Sequence, residues 1–250
     1  MELSSHTVLI TGGASGIGLA LAERFLRSGS DVIVCGRREH TLREAQAKHP
    51  TLKIRACDVA SERDRSALFN WTVAEFPRLN VLVNNAGIQN RTRLAAANDW
   101  ERIRQEIAIN LDAPIHLSAL FIPHLLAQQH PAIINVTSGL AFVPMASTPI
   151  YCATKAALHS FTLSLRHQLS DTPIQVVEIV PPAVNTDLGG TGLHTFGVPV
   201  DEFADAAIGG LRKGELEIAY EFSAQASRAS REELGAMFSR MNQAPQKSEV

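Results

Sequence analysis

Seven short apolar runs alternate with helical stretches along almost the whole of this chain, and that alternation decides what it can fold into. The runs lie at 7–11, 32–35, 52–56, 81–84, 132–137, 174–180 and 216–220. A helical pattern follows the glycines after the first run and continues through residue 29; others occupy 39–48, 61–76, 99–128 and 151–169. Strands separated by helices pair in parallel, because a parallel pair needs a crossover long enough to hold a helix. The expected fold is therefore α/β: a doubly wound, seven-stranded, mostly parallel sheet with helices on both faces. No linker, internal repeat or low-complexity tract interrupts the pattern, so residues 1–241 read as one domain. Residues 188–200 hold four glycines and no periodicity and read as a mobile loop. Residues 242–250 read as a polar, frayed tail.

Composition narrows the function classes. With 45% hydrophobic and 19% charged residues there is apolar material for one large core. The 23 basic and 25 acidic residues are interleaved, as at 37–48 and 228–233, which leaves no field to attract nucleic acid. The first residues include Glu2 and lack the apolar segment of a secretory signal, and no apolar stretch reaches membrane-spanning length. Cys35, Cys57 and Cys152 form neither a Cys-x-x-Cys pair nor an even disulfide framework, which suits a reducing cytoplasm. The nine histidines are scattered, and no metal site is expected.

At the first strand-to-helix junction stands Thr11-Gly12-Gly13-Ala14-Ser15-Gly16-Ile17-Gly18. Glycines there let the backbone turn sharply and approach a diphosphate, which the free amides and dipole of the following helix attract. A glycine cluster alone is weak evidence of this; its position at the opening of an alternating chain makes it a dinucleotide site.

The spacing Gly12-x-x-x-Gly16-x-Gly18 after a threonine resembles the short-chain dehydrogenase/reductase family. The resemblance runs through nearly the whole chain: Asp58-Val59 after the third strand matches the family's adenine contact, and Asn84-Asn85-Ala86-Gly87 follows the fourth. It implies a Rossmann-type fold and a cofactor site that also takes in Ser15, Ile17, Ala86 and Gly87. The segments 36–39 and 80–88 resemble the family's DltE-like branch, a name that identifies no reaction. Folds of this kind that bind NAD end the second strand with a carboxylate for the ribose 2′-hydroxyl. Here Gly36 is followed by Arg37 and Arg38, guanidinium groups able to clamp a 2′-phosphate, so the cofactor inferred is NADP(H). The basic residue that NADP-binding relatives often carry before the second glycine is replaced by Ser15.

Tyr151 and Lys155 are four residues apart and so share one face of a helix. A cation beside a phenol favours phenolate, which makes the tyrosine a usable proton donor or acceptor near neutrality. Ser138 closes the fifth strand at its carboxyl end, where open α/β sheets bind ligands. The family resemblance adds Asn110 as a fourth catalytic residue that holds a relay water. It also gives Lys155 contacts to the nicotinamide ribose, and it puts Pro181, Val184 and Thr186 against the nicotinamide. Pro182 stands where most relatives have glycine.

By family position the substrate is ringed by Ile88, Gln89, Gly139, Leu140, Val143, Met145, Ile150 and Leu188. These residues suit a neutral ketone, aldehyde or secondary alcohol, since none of them is a base that would hold an anion. Cys152 reads as a packing residue, and Trp71 and Trp100 read as core or helix-packing residues. Homodimer or homotetramer formation is implied by the resemblance. Three alternatives stay open: a non-catalytic NADP(H)-binding regulator, an NAD-dependent dehydrogenase, and an epimerase or dehydratase on the same fold.

Overall fold

A computed structural model describes residues 2–96 and 99–243. Its strands are β1 (Thr7–Thr11), β2 (Asp31–Gly36), β3 (Lys53–Ala56), β4 (Val81–Asn84), β5 (Ala132–Val136), β6 (Gln175–Val180) and β7 (Glu217–Ala219). They form one sheet in the order β3-β2-β1-β4-β5-β6-β7, and every pairing in it is parallel. The order reverses between β1 and β4, and such a reversal opens a crevice at the carboxyl ends of the two strands.

Helices α1 (Gly16–Arg27), α2 (Glu39–Lys48), α3 (Glu62–Glu75), α4 (Trp100–Ile107), α5 (Ala113–Leu125), α6 (Pro149–Gln168) and α7 (Val200–Lys213) make the crossovers, and α8 (Phe222–Ala226) and α9 (Arg231–Met241) follow the last strand. Alternate residues of each strand face opposite ways, which splits the core in two. Val8, Ile10, Val32, Val34 and Ile134 pack with Leu21 and Phe25 of α1 and Phe203 and Leu211 of α7. Leu9, Ile33, Leu82 and Ile133 pack with Leu68 of α3, Leu117 and Phe121 of α5 and Leu165 of α6. Full burial of side chains this size is worth about 1.5–3 kcal/mol each, so these two layers carry the fold.

Three expectations are corrected here. The stretch 99–128 contains a π-turn, Ala108–Asp112, between α4 and α5, because the helix widens by one residue there. Trp100 is no core residue: it sits in the first turn of α4, 64% exposed, while Trp71 packs against Phe76 and under Arg55. Asn242 is tied down, its Nδ2 donating to Pro144 O at 3.0 Å and its Oδ1 accepting from Ala146 N at 2.6 Å. The rest of the predicted frayed tail beyond residue 243 lies outside the described residues. Residues 188–197 carry no helix or strand, as expected, but Val184 and Val198 bridge across the base of that loop. No helix among the described residues is long and apolar enough to cross a membrane.

Helix α7, which the periodicity did not reveal, is fastened to α1 by Arg24. That side chain is 7% exposed and donates to Asp205 Oδ1 at 2.8 Å, Asp201 Oδ1 at 2.7 Å and Asp201 O at 2.9 Å. Both carboxylates are mostly solvated, so the pair is partly screened. Arg24→Ala should cost about 1–2 kcal/mol and lower the thermal midpoint by about 2–8 °C. Calorimetry on the two proteins checks this, and an unchanged midpoint would mean that α7 is held by its apolar face alone.

Candidate active site

The glycine turn is closed to side chains on the protein side. A Cβ on Gly13 would fall 2.5 Å from Val34 Cγ1, and one on Gly18 would fall 2.4 Å from Asn85 Nδ2. Gly12 and Gly16 hold φ of +63° and +53°, a region that costs other residues strain. Beyond the turn, α1 begins with no side-chain cap from Ser15, which leaves its first amides free to meet an anion. Gly16 faces Thr186, whose Cγ2 would lie 3.4 Å from an added Cβ, so the predicted diphosphate and nicotinamide contacts flank one narrow cleft. At its far end nothing lies within 4 Å of an added Cβ on Gly36. Arg37 and Arg38 are exposed there, their guanidinium groups unpartnered among the described residues. These features fit a dinucleotide with an extra phosphate on its adenosine ribose.

The other residues predicted to hold the cofactor are placed as follows by the fold. Asp58 sits at the turn after β3, its Oδ1 accepting from Ala60 N at 3.0 Å, and Val59 beside it is buried. Ala86, Gly87 and Ile17 are partly exposed. Pro181 O accepts from Gly139 N at 2.9 Å, which joins the β6 turn to the β5 turn. Asn84 is a correction. Strand alternation sends it into the core, where Nδ2 donates to Ser118 Oγ at 3.2 Å and Asn135 Oδ1 at 2.9 Å. It braces β4 against β5 and α5 and does not line the cleft.

Ser138, Tyr151, Lys155 and Asn110 converge. Pro149 opens α6 at a position that needs no amide donor, and the helix then carries Tyr151 and Lys155 one turn apart. Both are buried, at 6% and 4% exposure, and Lys155 Nζ lies 5.7 Å from the Tyr151 ring centroid. Ser138 Oγ accepts from Leu140 N at 3.1 Å and lies close enough to the Tyr151 phenol to favour its ionised form. Lys155 Nζ donates to Val136 O at 2.7 Å. Asn110 lies in the π-turn; its Oδ1 accepts from Ile88 N at 2.9 Å and its Nδ2 donates to Ile88 O at 2.8 Å and Thr154 Oγ1 at 3.3 Å. A Cβ on Gly87 would lie 3.4 Å from Asn110 Oδ1 and 3.8 Å from Lys155 Nζ, so the end of β4 abuts the catalytic group.

The model of the family described as short chain dehydrogenase matches residues 6–193. The chain is a short-chain dehydrogenase. This short-chain dehydrogenase is 47% identical, over 97% of its length and 98% of the relative's, to the uncharacterized oxidoreductase DltE of Bacillus subtilis, and it belongs to the DltE-like branch. It is 32% identical to the NADP-dependent 3-hydroxy acid dehydrogenase YdfG of Escherichia coli K12, over 74% of this chain and 73% of that protein. A solved short-chain dehydrogenase from Sphingobium yanoikuyae in complex with NADPH superposes with a TM-score of 0.80 at 29% identity, covering 98% of both chains.

The residues predicted to ring the substrate differ in exposure. Ile88, Gln89, Leu140, Met145, Ile150 and Leu188 are partly exposed. Val143 is fully buried and presents no surface. Gly139 turns its α-carbon to α8, where a Cβ would meet Ser223 Oγ at 2.4 Å. Cys152 packs beneath the loop that carries Met145, its Sγ accepting from Met145 N at 3.3 Å. Sequence reasoning missed Glu106 and Glu178, two carboxylates with no exposed surface. Asn90 holds Glu106 by its N at 3.1 Å and its Nδ2 at 3.2 Å. Both acids sit on helix or strand positions that pattern alone reads as surface.

Burial dominates the electrostatics. It pushes the Tyr151 phenol up, against a lowering hydrogen bond from Ser138, and the charge of Glu106 adds to the rise. It brings the Lys155 ammonium down to about 8, with Glu178 opposing. An unfolded lysine keeps its proton to about 10.5 and the buried one only to about 8, so between these the unfolded state holds more protons and stability rises with pH. Measured against Lys155→Met in denaturant titrations, the wild type should gain up to about 3 kcal/mol across that window. A flat difference would mean that Lys155 is solvated.

Proposed function

We propose that this protein is an NADPH-dependent carbonyl reductase, reversibly an alcohol dehydrogenase, acting on a neutral, largely apolar ketone, aldehyde or secondary alcohol. The observation that carries the reading is the convergence of Ser138, Tyr151 and Lys155 at the open end of the glycine cleft. The cofactor preference rests on Arg37 and Arg38 beyond the open Gly36. The solved relative in complex with NADPH and the NADP-dependent relative YdfG point the same way. The substrate class rests on Ile88, Leu140, Met145, Ile150 and Leu188, which are apolar and partly open.

A bound reduced nicotinamide supplies the hydride. The residues of this chain manage the oxygen and the proton. Ser138 hydrogen-bonds the carbonyl oxygen and aligns it with the Tyr151 hydroxyl, and Tyr151 protonates that oxygen as negative charge develops on it. Lys155 steadies the phenolate left behind and hydrogen-bonds the nicotinamide ribose. Asn110, anchored to both the N and the O of Ile88, holds the π-turn open for a water that returns the proton. Arg37 and Arg38 clamp the 2′-phosphate. The same chemistry suits a cytoplasmic homodimer or homotetramer whose partner is a small carbonyl compound; exposed Ile115 of α5, Leu126 just after it and Leu163 of α6 offer apolar surface for subunit contact.

Reduced-cofactor absorbance should fall with NADPH in preference to NADH across a panel of aryl and aliphatic ketones, aldehydes, diketones and a 3-oxo acid, with the neutral ketones fastest. Tyr151→Phe should cut kcat by about 10²–10⁴-fold. Arg37→Ala should raise the KM for NADPH by about 10-fold or more and leave that for NADH unchanged. A preference for NADH would overturn the cofactor assignment, and turnover of the 3-oxo acid alone would overturn the substrate class.

A further inference from the structure

Glu178 lies on β6 with no exposed surface, and the proposed mechanism gives it no part. Its Oε1 accepts from Thr137 Oγ1 at 2.6 Å, and His159 Nδ1 lies 3.0 and 2.9 Å from Oε1 and Oε2. Thr137 is the residue before Ser138. His159 is one turn beyond Lys155 on α6, so Tyr151, Lys155 and His159 succeed one another on a single helix face over β5 and β6. Lys155 in turn donates to Val136 O, next to Thr137. The carboxylate therefore sits directly behind the catalytic group, linked to it through two consecutive residues of one strand end.

Burying a charge is strongly unfavourable unless it is paired and hydrogen-bonded. A glutamine at 178 would satisfy the Thr137 hydroxyl and the His159 ring with the same shape and without that cost, so hydrogen bonding alone does not account for a carboxylate. His159 pairs with it at 2.9 Å when protonated; beyond that ring, Glu178 is the carboxylate that bears on Lys155. We propose that Glu178 is a positioning residue: the buried counter-charge, oriented by Thr137 and His159, that keeps Lys155 an ammonium beside Tyr151. This rests on the reductase reading only for its effect on turnover.

The surrounding charges set the direction of its pH dependence. Glu178 and Glu217 raise the pKa of His159 and Arg166 lowers it, with the hydrogen bond to Glu178 the largest influence. While His159 is protonated it cancels Glu178. Once it loses its proton, the carboxylate acts on Lys155 alone and holds the ammonium against burial. Glu106, on α4, bears on Tyr151 and Cys152 and works against the phenolate. Lys155 is thus the cation that favours phenolate, and Glu178 is what keeps it charged.

The chain has five lysines, Lys48, Lys53, Lys155, Lys213 and Lys247, so each side-chain resonance can be followed by NMR in protein labelled at lysine Cε, and Lys155→Met assigns the buried one. In Glu178→Gln the Lys155 midpoint should fall by about one unit or more, a tenfold change in ammonium stability. The alkaline limb of kcat should move down by the same amount while KM stays fixed. Glu178→Asp keeps the charge and should keep the midpoint within a few tenths of a unit; it also serves if the glutamine variant does not fold. An unmoved Lys155 in folded Glu178→Gln, or a full-unit fall in Glu178→Asp, would overturn the proposal. Because the resonance is read without cofactor or substrate, a shift with no turnover would refute the reductase reading and leave this one standing.

Discussion

The site depends on how the carboxyl ends of three strands are locked to each other at the reversal of the sheet. Thr11 closes β1, and its Oγ1 accepts from Asn85 N and Ala86 N, each at 3.0 Å. Asn85 Nδ2 donates back to Thr11 O at 2.8 Å, and Gly12 N donates to Cys35 O at 2.8 Å. Strands β1, β2 and β4 are fixed in depth by these bonds, so the crevice between them has a rigid floor. The glycines follow from that closeness: where the backbone of the turn lies against Val34 and Asn85, a side chain has nowhere to go. An uncapped helix start above a rigid floor is then an anion site set by the fold and not by any one side chain.

What surrounds the floor is a contest between burial and charge. Tyr151 and Lys155 are each placed where the ionised form is disfavoured. In water the pair would do little at neutral pH. In a site that excludes water, each polar neighbour counts for more, so Ser138 on the phenol and Glu178 behind the lysine have leverage that exposed groups would lack. Desolvation in this way makes a weakly acidic phenol responsive to the small number of charges near it.

The sequence makes some of this legible and leaves some of it silent. Strand alternation, the glycine spacing and the Tyr-x-x-x-Lys repeat are local patterns, and each maps directly onto a local geometry. Helix α7 escaped because it follows an irregular glycine-bearing loop and holds two adjacent glycines, Gly209 and Gly210, that weaken helix propensity, although Phe203, Ala204, Ala207, Ile208 and Leu211 share one buried face. The π-turn at Asn110 escaped because one added residue leaves the helical pattern on both sides intact. Asn84 and Val143 sit within the right segments yet face the core, since the side of a strand or loop a residue takes depends on its neighbours in space. Glu106 and Glu178 were silent for the same reason: a charge reads as surface until its partners, far along the chain, are known.

The central claim is that this cleft moves a hydride to the carbon whose oxygen meets Ser138 and Tyr151. One turnover with NADPH carrying deuterium at both C4 positions, followed by mass spectrometry and NMR of the alcohol, tests this. The account predicts a single deuterium, located on the carbinol carbon. Alcohol formed without deuterium there, or with it spread over neighbouring carbons, would contradict direct transfer and with it the account of the site.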